Sequence, residues 1–131
     1  MLDPGSQLSL ITKSLWKKLG LKIVSNSHEI QTNVITEAVR ITIKSIYNDY
    51  SAKLTCSVLP DITNQLPTMS FPINSLDIPK NIQLADQKFN ESSKVDLLIG
   101  TELYFEILRD GKIHLKAHKL YLQNSHLGWI I

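Results

Sequence analysis

A mainly β domain with two short helices is the fold class this sequence predicts. Three observations carry the prediction. Apolar and polar residues alternate from Val39 to Lys44 and again from Ala52 to Val58, about a turn at Asn48-Asp49. A continuous apolar run at Val95 to Gly100 reads as a strand buried on both faces. Only two segments, near Lys13 and Thr101, look helical, and both are short. The 131 residues suffice for one core and one domain. A composition that is 43% hydrophobic and 20% charged is that of an ordinary globular chain, not a disordered one.

In chain order, Leu8-Ser9-Leu10-Ile11 is a first apolar segment, and Ile11, Leu15 and Leu19 then recur every four positions. Thr12 suits the N-cap, Lys17 and Lys18 the last turn, and Gly20 the C-terminal cap, so a helix is expected from Lys13 to Leu19. Trp16 is read as an aromatic anchor for the core. Leu21 to Val24 reads as a strand and Ser25 to Ser27 as a turn. The hairpin follows, with Val39, Ile41 and Ile43 on one face and Ala52, Leu54, Cys56 and Val58 returning in register. Cys56 is therefore expected to be a small core residue. Residues 60–95 are interrupted by Pro60, Pro67, Pro72 and Pro79 and keep no periodicity, so they read as an irregular excursion lying on the body of the domain. Beyond Gly100, a helix is expected from Thr101 to Leu108, a turn at Arg109-Asp110-Gly111-Lys112, a strand from Lys112 to Ala117, and a last buried strand at Leu127-Gly128-Trp129-Ile130-Ile131.

Several functions find no support. Fourteen basic and twelve acidic residues give a net charge of +2, no electrostatic case for a dedicated nucleic-acid or membrane binder. Lys13, Lys17 and Lys18 read as a solvated helix face. No apolar run reaches the roughly 18 residues of a membrane span, and the N-terminus lacks the pattern of a signal peptide. The single cysteine suits a reducing intracellular compartment, the cytoplasm. His114 and His118 alternate with Ile113, Leu115 and Ala117, which puts them on the polar face of a strand and not at a metal; no metal or cofactor is expected. His28 and His126 are isolated, Ser9, Ser14 and His28 lack nucleophile-elbow spacing, and no glycine loop for phosphate is present.

What remains is the opening stretch. Leu2-Asp3-Pro4-Gly5-Ser6-Gln7 places an aspartate two residues before a glycine, a loop that can hold a carboxylate against backbone N–H groups. Much later comes Leu97-Leu98-Ile99-Gly100-Thr101-Glu102-Leu103, apolar residues and a glycine leading into a helix. Val58-Leu59-Pro60, Leu84-Ala85-Asp86 with Phe89, and the closing Leu127-Gly128-Trp129-Ile130-Ile131 complete the set. In these motifs and their order the chain resembles the retropepsin-like aspartic peptidase domain of Bel/Pao-type LTR retrotransposons, over nearly its whole length.

The resemblance implies a closed, retropepsin-like β-barrel and an endopeptidase that processes the retrotransposon polyprotein. Asp3 would be the catalytic carboxylate, with Pro4, Gly5, Ser6, Gln7 and Gly100 supporting its loop. Only one aspartate-containing loop of this kind is present, so the paired carboxylates would come from two chains in a homodimer, with an extended peptide as substrate. Three features depart from the family pattern. Pro4 stands where Ser or Thr is usual and removes the hydroxyl that braces the loops. Only Met1 and Leu2 precede Asp3, where the family builds a strand, so the chain reads as truncated there. The segment corresponding to the flap, Ser25 to Thr36, has no glycine. These departures motivate an alternative, a degenerate noncatalytic module for dimerisation or peptide binding. A third possibility is a structural fragment without activity.

Overall fold

The computed structural model describes residues 1–29 and 35–131, leaving out the side chains of residues 25–36. The chain is mainly β. Its elements are β1 (Ser9–Thr12), α1 (Lys13–Leu19), β2 (Ile23–Glu29), β3 (Ile35–Lys44), β4 (Ser51–Leu59), β5 (Leu97–Leu98), α2 (Thr101–Ile107), β6 (Leu108–Leu115) and β7 (Leu120–Ser125). They form a five-stranded sheet in the order β2-β3-β4-β1-β5 and a separate two-stranded ribbon of β6 and β7. The closed barrel expected is therefore not formed: β6 and β7 make their own ribbon instead of joining the edge strands β2 and β5, and neither sheet closes.

The hairpin forms as its alternation predicts. Val39 pairs with Cys56 and Ile41 with Leu54, and all four side chains are buried in one core. That core also takes Ile11, Val58, Ile99, Leu103 and Ile107. Strand β1 lies parallel to β4 and antiparallel to β5, so it carries the chain's first segment into the middle of the sheet. Ile11, fully buried there, gains the whole of its transfer free energy, and truncating such a side chain to alanine costs about 2–5 kcal/mol.

Helix α1 has the predicted bounds. The Leu15 amide donates to Thr12 Oγ1 at 3.3 Å, and Gly20 ends the helix in the left-handed conformation at φ 65°. The Trp16 indole packs against the core and donates to the Leu21 carbonyl at 2.7 Å. Leu19, by contrast, is half exposed.

Several expectations need correction. The strand expected over Val95 to Gly100 is reduced to Leu97–Leu98, at the edge of the sheet beside β1, with Val95 to Leu97 only partly buried. The turn expected at Ser25 to Ser27 is strand: β2 continues to Glu29, held by irregular pairing with β3. Asp110-Gly111 is no turn either. Helix α2 passes directly into β6, and a register shift between Leu108 and Lys112 absorbs these residues, with Gly111 at φ 126°. The strand expected to run to Ala117 stops at Leu115; a single 3-10 turn at Lys116–His118 reverses the chain into β7, so His118 lies outside the strand that holds His114. Last, Leu127 to Ile131 is not a buried strand. Among the described residues it makes two isolated bridges, Leu84 to Trp129 and Gln123 to Ile130, and Ile131 is exposed.

Residues 60–95 are mostly irregular, with a 3-10 turn at Ile73–Leu76. Phe71, Leu76, Ile82, Leu84 and Phe89 pack with Leu115, Leu122 and Trp129 in a second, smaller core beneath the ribbon. The hairpin turn ties these parts together. The Tyr47 hydroxyl donates to the Leu84 carbonyl at 2.6 Å, and Asn48 Nδ2 donates to the His126 carbonyl at 3.1 Å. The ring of Tyr50 stacks on that of His126.

Candidate active site

The loop at Asp3 is built from both ends of the domain. Leu2 forms a parallel bridge with Ile99, flanked by the Ile99 amide donating to the Met1 carbonyl (2.8 Å) and the Asp3 amide donating to the Ile99 carbonyl (2.9 Å). The residues before Asp3, few as they are, thus make a short ladder against the apolar run. Within the loop, the Gly5 amide donates to Asp3 Oδ1 at 2.8 Å and the Ser6 amide to the Asp3 carbonyl at 3.3 Å. The carboxylate is held by backbone, a charge-assisted bond that fixes its orientation.

The loop then locks onto the start of α2. The Thr101 amide donates to the Ser6 carbonyl at 2.8 Å, Ser6 Oγ donates to the Leu8 carbonyl at 2.6 Å, and the Gly100 amide donates to Ser9 Oγ at 3.1 Å. Gly100 is required here by close approach. A Cβ at that position would sit 2.6 Å from the Ser6 oxygen and 2.7 Å from the Leu8 oxygen, which are backbone atoms that cannot swing aside.

Asp3 is partly exposed, and Pro4 and Gly5 are exposed, so the loop faces outward from its own chain. Of the residues expected to support it, Gly5 hydrogen-bonds the Asp3 carboxylate, and Ser6 and Gly100 lie at the contact between the loop and α2. Pro4 occupies the turn without contributing a donor. Gln7 is exposed, and its side chain takes no part in the hydrogen bonds of the loop among the described residues. Two supports were not anticipated. Ser9, fully buried, accepts from Gly100, and Thr12 Oγ1 donates to Asp96 Oδ1 at 2.8 Å, tying β1 to the segment that leads into β5. A lone hydroxyl inside the apolar run Leu8 to Ile11 was the available signal for Ser9. Of the flap expected at Ser25 to Thr36, residues 30–34 lie outside the described residues, and the rest of its backbone belongs to β2 and β3.

Other chemistries have less to work with. Cys56 is fully buried, and burial, with a smaller contribution from Glu102, pushes its thiol up to about 12, so it stays protonated and unreactive at neutral pH. Among the described residues no group of three or more His, Cys, Asp or Glu side chains could hold a metal ion. An apolar cleft of about 380 Å³ opens beside Leu2 and Ile99, walled by Leu84, Phe89 and Trp129, and Asp3 does not line it. No helix among the described residues is long and apolar enough to cross a membrane. No family model, curated protein or solved structure matches the chain.

Proposed function

We propose that the protein is an aspartic endopeptidase of the retropepsin-like, Bel/Pao retrotransposon kind, which cleaves an extended polyprotein segment at a site shared by two copies of the chain. The observation that carries this reading is the Gly5 amide on Asp3 Oδ1, in a loop pinned to Ile99 and Thr101. A loop so fixed, with its carboxylate partly exposed and its tip outward, is suited to meeting a twin across a two-fold axis.

In the proposed reaction two Asp3 carboxyls facing each other across the two-fold axis hold one proton between them, because like charges brought close together cannot both ionise. The ionised partner takes a proton from a water, which attacks the scissile carbonyl; the protonated partner donates a hydrogen bond to that carbonyl as its oxygen gains charge. Collapse of the tetrahedral intermediate passes a proton to the leaving amine. Pro4 leaves the Gly5 amide as the main brace of each carboxylate.

A second reading follows from Pro4 itself. With neither hydroxyl nor N–H at that position, the pair of loops lacks a cross-link, which favours a noncatalytic module for dimerisation or peptide binding. Incubating the purified protein with a peptide library at acidic and neutral pH, beside Asp3→Asn, separates the two. Cleavage that disappears in the variant supports the peptidase. A dimer that binds peptides without cutting them supports the module.

A further inference from the structure

The near-neutral charge of the whole chain conceals a segregation that the fold makes visible. Residues 108–125 carry Arg109, Lys112, Lys116 and Lys119 against Asp110 alone, and residues 4–28 carry four lysines against no acidic residue. The rest of the chain is correspondingly acidic. The two basic regions differ in what accompanies the charge. On α1 the neighbouring aromatic, Trp16, is committed to the core and to the Leu21 carbonyl.

On the ribbon the aromatics face out. The inner face of β6 and β7 is set by Ile113, Leu115 and Leu122, which pack into the second core. Strand periodicity therefore turns Lys112, His114 and Tyr121 outward. His114 pairs with Tyr121, and their exposed rings stack in parallel with centroids 4.5 Å apart. Lys112 lies on one side of this platform, and Lys116 and Lys119, in the reversal at the ribbon tip, on the other. All three lysines are exposed, and none is in an ion pair among the described residues.

A stacked aromatic surface between unpaired cations is what a flexible polyanion with flat rings requires. We infer that the outer face of the β6–β7 ribbon docks single-stranded nucleic acid, with bases stacking on the Tyr121–His114 platform and phosphates meeting Lys112, Lys116 and Lys119. Stacking accepts any base, so the surface tolerates sequence while rejecting a duplex, whose bases are already stacked. An anionic membrane offers the same charge but nothing for the rings to stack on.

The test is fluorescence anisotropy with a labelled oligo(U) RNA of about 12 nucleotides, its duplex form, and a parallel sedimentation assay with phosphatidylserine vesicles. Binding should be strong at low salt and fall on a log–log plot with slope about −2, from three phosphates at roughly 0.7 each. Lys116→Ala should flatten the slope by about 0.7. Tyr121→Ala should weaken binding about tenfold without changing the slope, and Tyr121→Phe should restore it. Lys13→Ala with Lys17→Ala on α1 should leave it unchanged. The inference is overturned if the RNA does not bind at low salt, if the α1 pair lowers affinity as much as the ribbon lysines, if Tyr121→Ala binds like Tyr121→Phe, if the duplex binds as well as the single strand, or if vesicles bind and RNA does not.

Discussion

The carbonyl oxygen of Ser6 occupies the space that a side chain on Gly100 would need, 2.6 Å from where its Cβ would stand. This contact joins the loop of the candidate catalytic aspartate to the mouth of α2, and it makes the first prediction. Gly100→Ala must push apart two backbone segments, at a cost of about 1–3 kcal/mol, and should displace the Asp3 loop. Gly20→Ala is the comparison: its Cβ meets nothing, so only the left-handed backbone is strained, by about 1 kcal/mol. Urea denaturation of both variants checks the ranking, and the Asp3 amide resonance should move only in Gly100→Ala.

The buried Thr12 hydroxyl accepts from the Leu15 amide, donates to Asp96 Oδ1 and also lies 3.3 Å from Ser14 Oγ. Thr12→Ala should cost about 1–2 kcal/mol, the upper range for a lost N-cap. Thr12→Ser keeps the hydroxyl and should recover most of the loss. Equal destabilisation by the two substitutions in denaturant titrations would assign the effect to the methyl group instead.

The raised pKa of the Cys56 thiol has a definite sign. Its folded value of about 12 lies above its ordinary 9.0, so the unfolded chain loses the proton first. The contribution to stability is fully present below pH 9 and is lost as pH rises toward about 12. Denaturation midpoints should decline across that window more steeply in the wild type than in Cys56→Ala. Native Cys56 should resist a thiol reagent at pH 8 and react once the chain is unfolded.

Tyr47→Phe should loosen the excursion. Its hydroxyl donates to the Leu84 carbonyl and accepts from Gln87 Nε2 at 3.0 Å, so removal costs about 1 kcal/mol and leaves that carbonyl without its donor. Limited proteolysis should then cut within residues 60–95 sooner than in the wild type, with the hairpin core still resistant.

Much of this architecture was legible because its signals are local. Thr12 and Gly20 mark the ends of α1, and the alternation of Val39, Ile41, Leu54 and Cys56 needs only neighbouring residues to be read. The misreadings share a different cause. Asp110-Gly111 has the composition of a turn, yet the same residue types also serve a strand irregularity, and only the pairing of Leu108 with Ser125 decides between them. Strand β7 alternates through Leu120, Tyr121 and Leu122, but Tyr121 is an aromatic that faces solvent, which blurs the polar half of the pattern. Trp129 and Ile130 find partners in Leu84 and Gln123, chosen by tertiary structure alone. At the candidate site, Asp3, Gly5 and Gly100 could be named from their motifs, whereas the backbone atoms that crowd Gly100 and the hydroxyl of Ser9 belong to the opposite end of the chain.

The most direct test of the central claim is a mixing experiment. Wild-type and Asp3→Asn chains are combined at constant total concentration, and cleavage of a peptide substrate is followed as the wild-type fraction falls. A site built from two Asp3 residues predicts activity that declines as the square of that fraction, reaching zero in the pure variant. A linear decline, undiminished cleavage by Asp3→Asn alone, or no cleavage by wild-type protein at concentrations where it is dimeric would contradict the account.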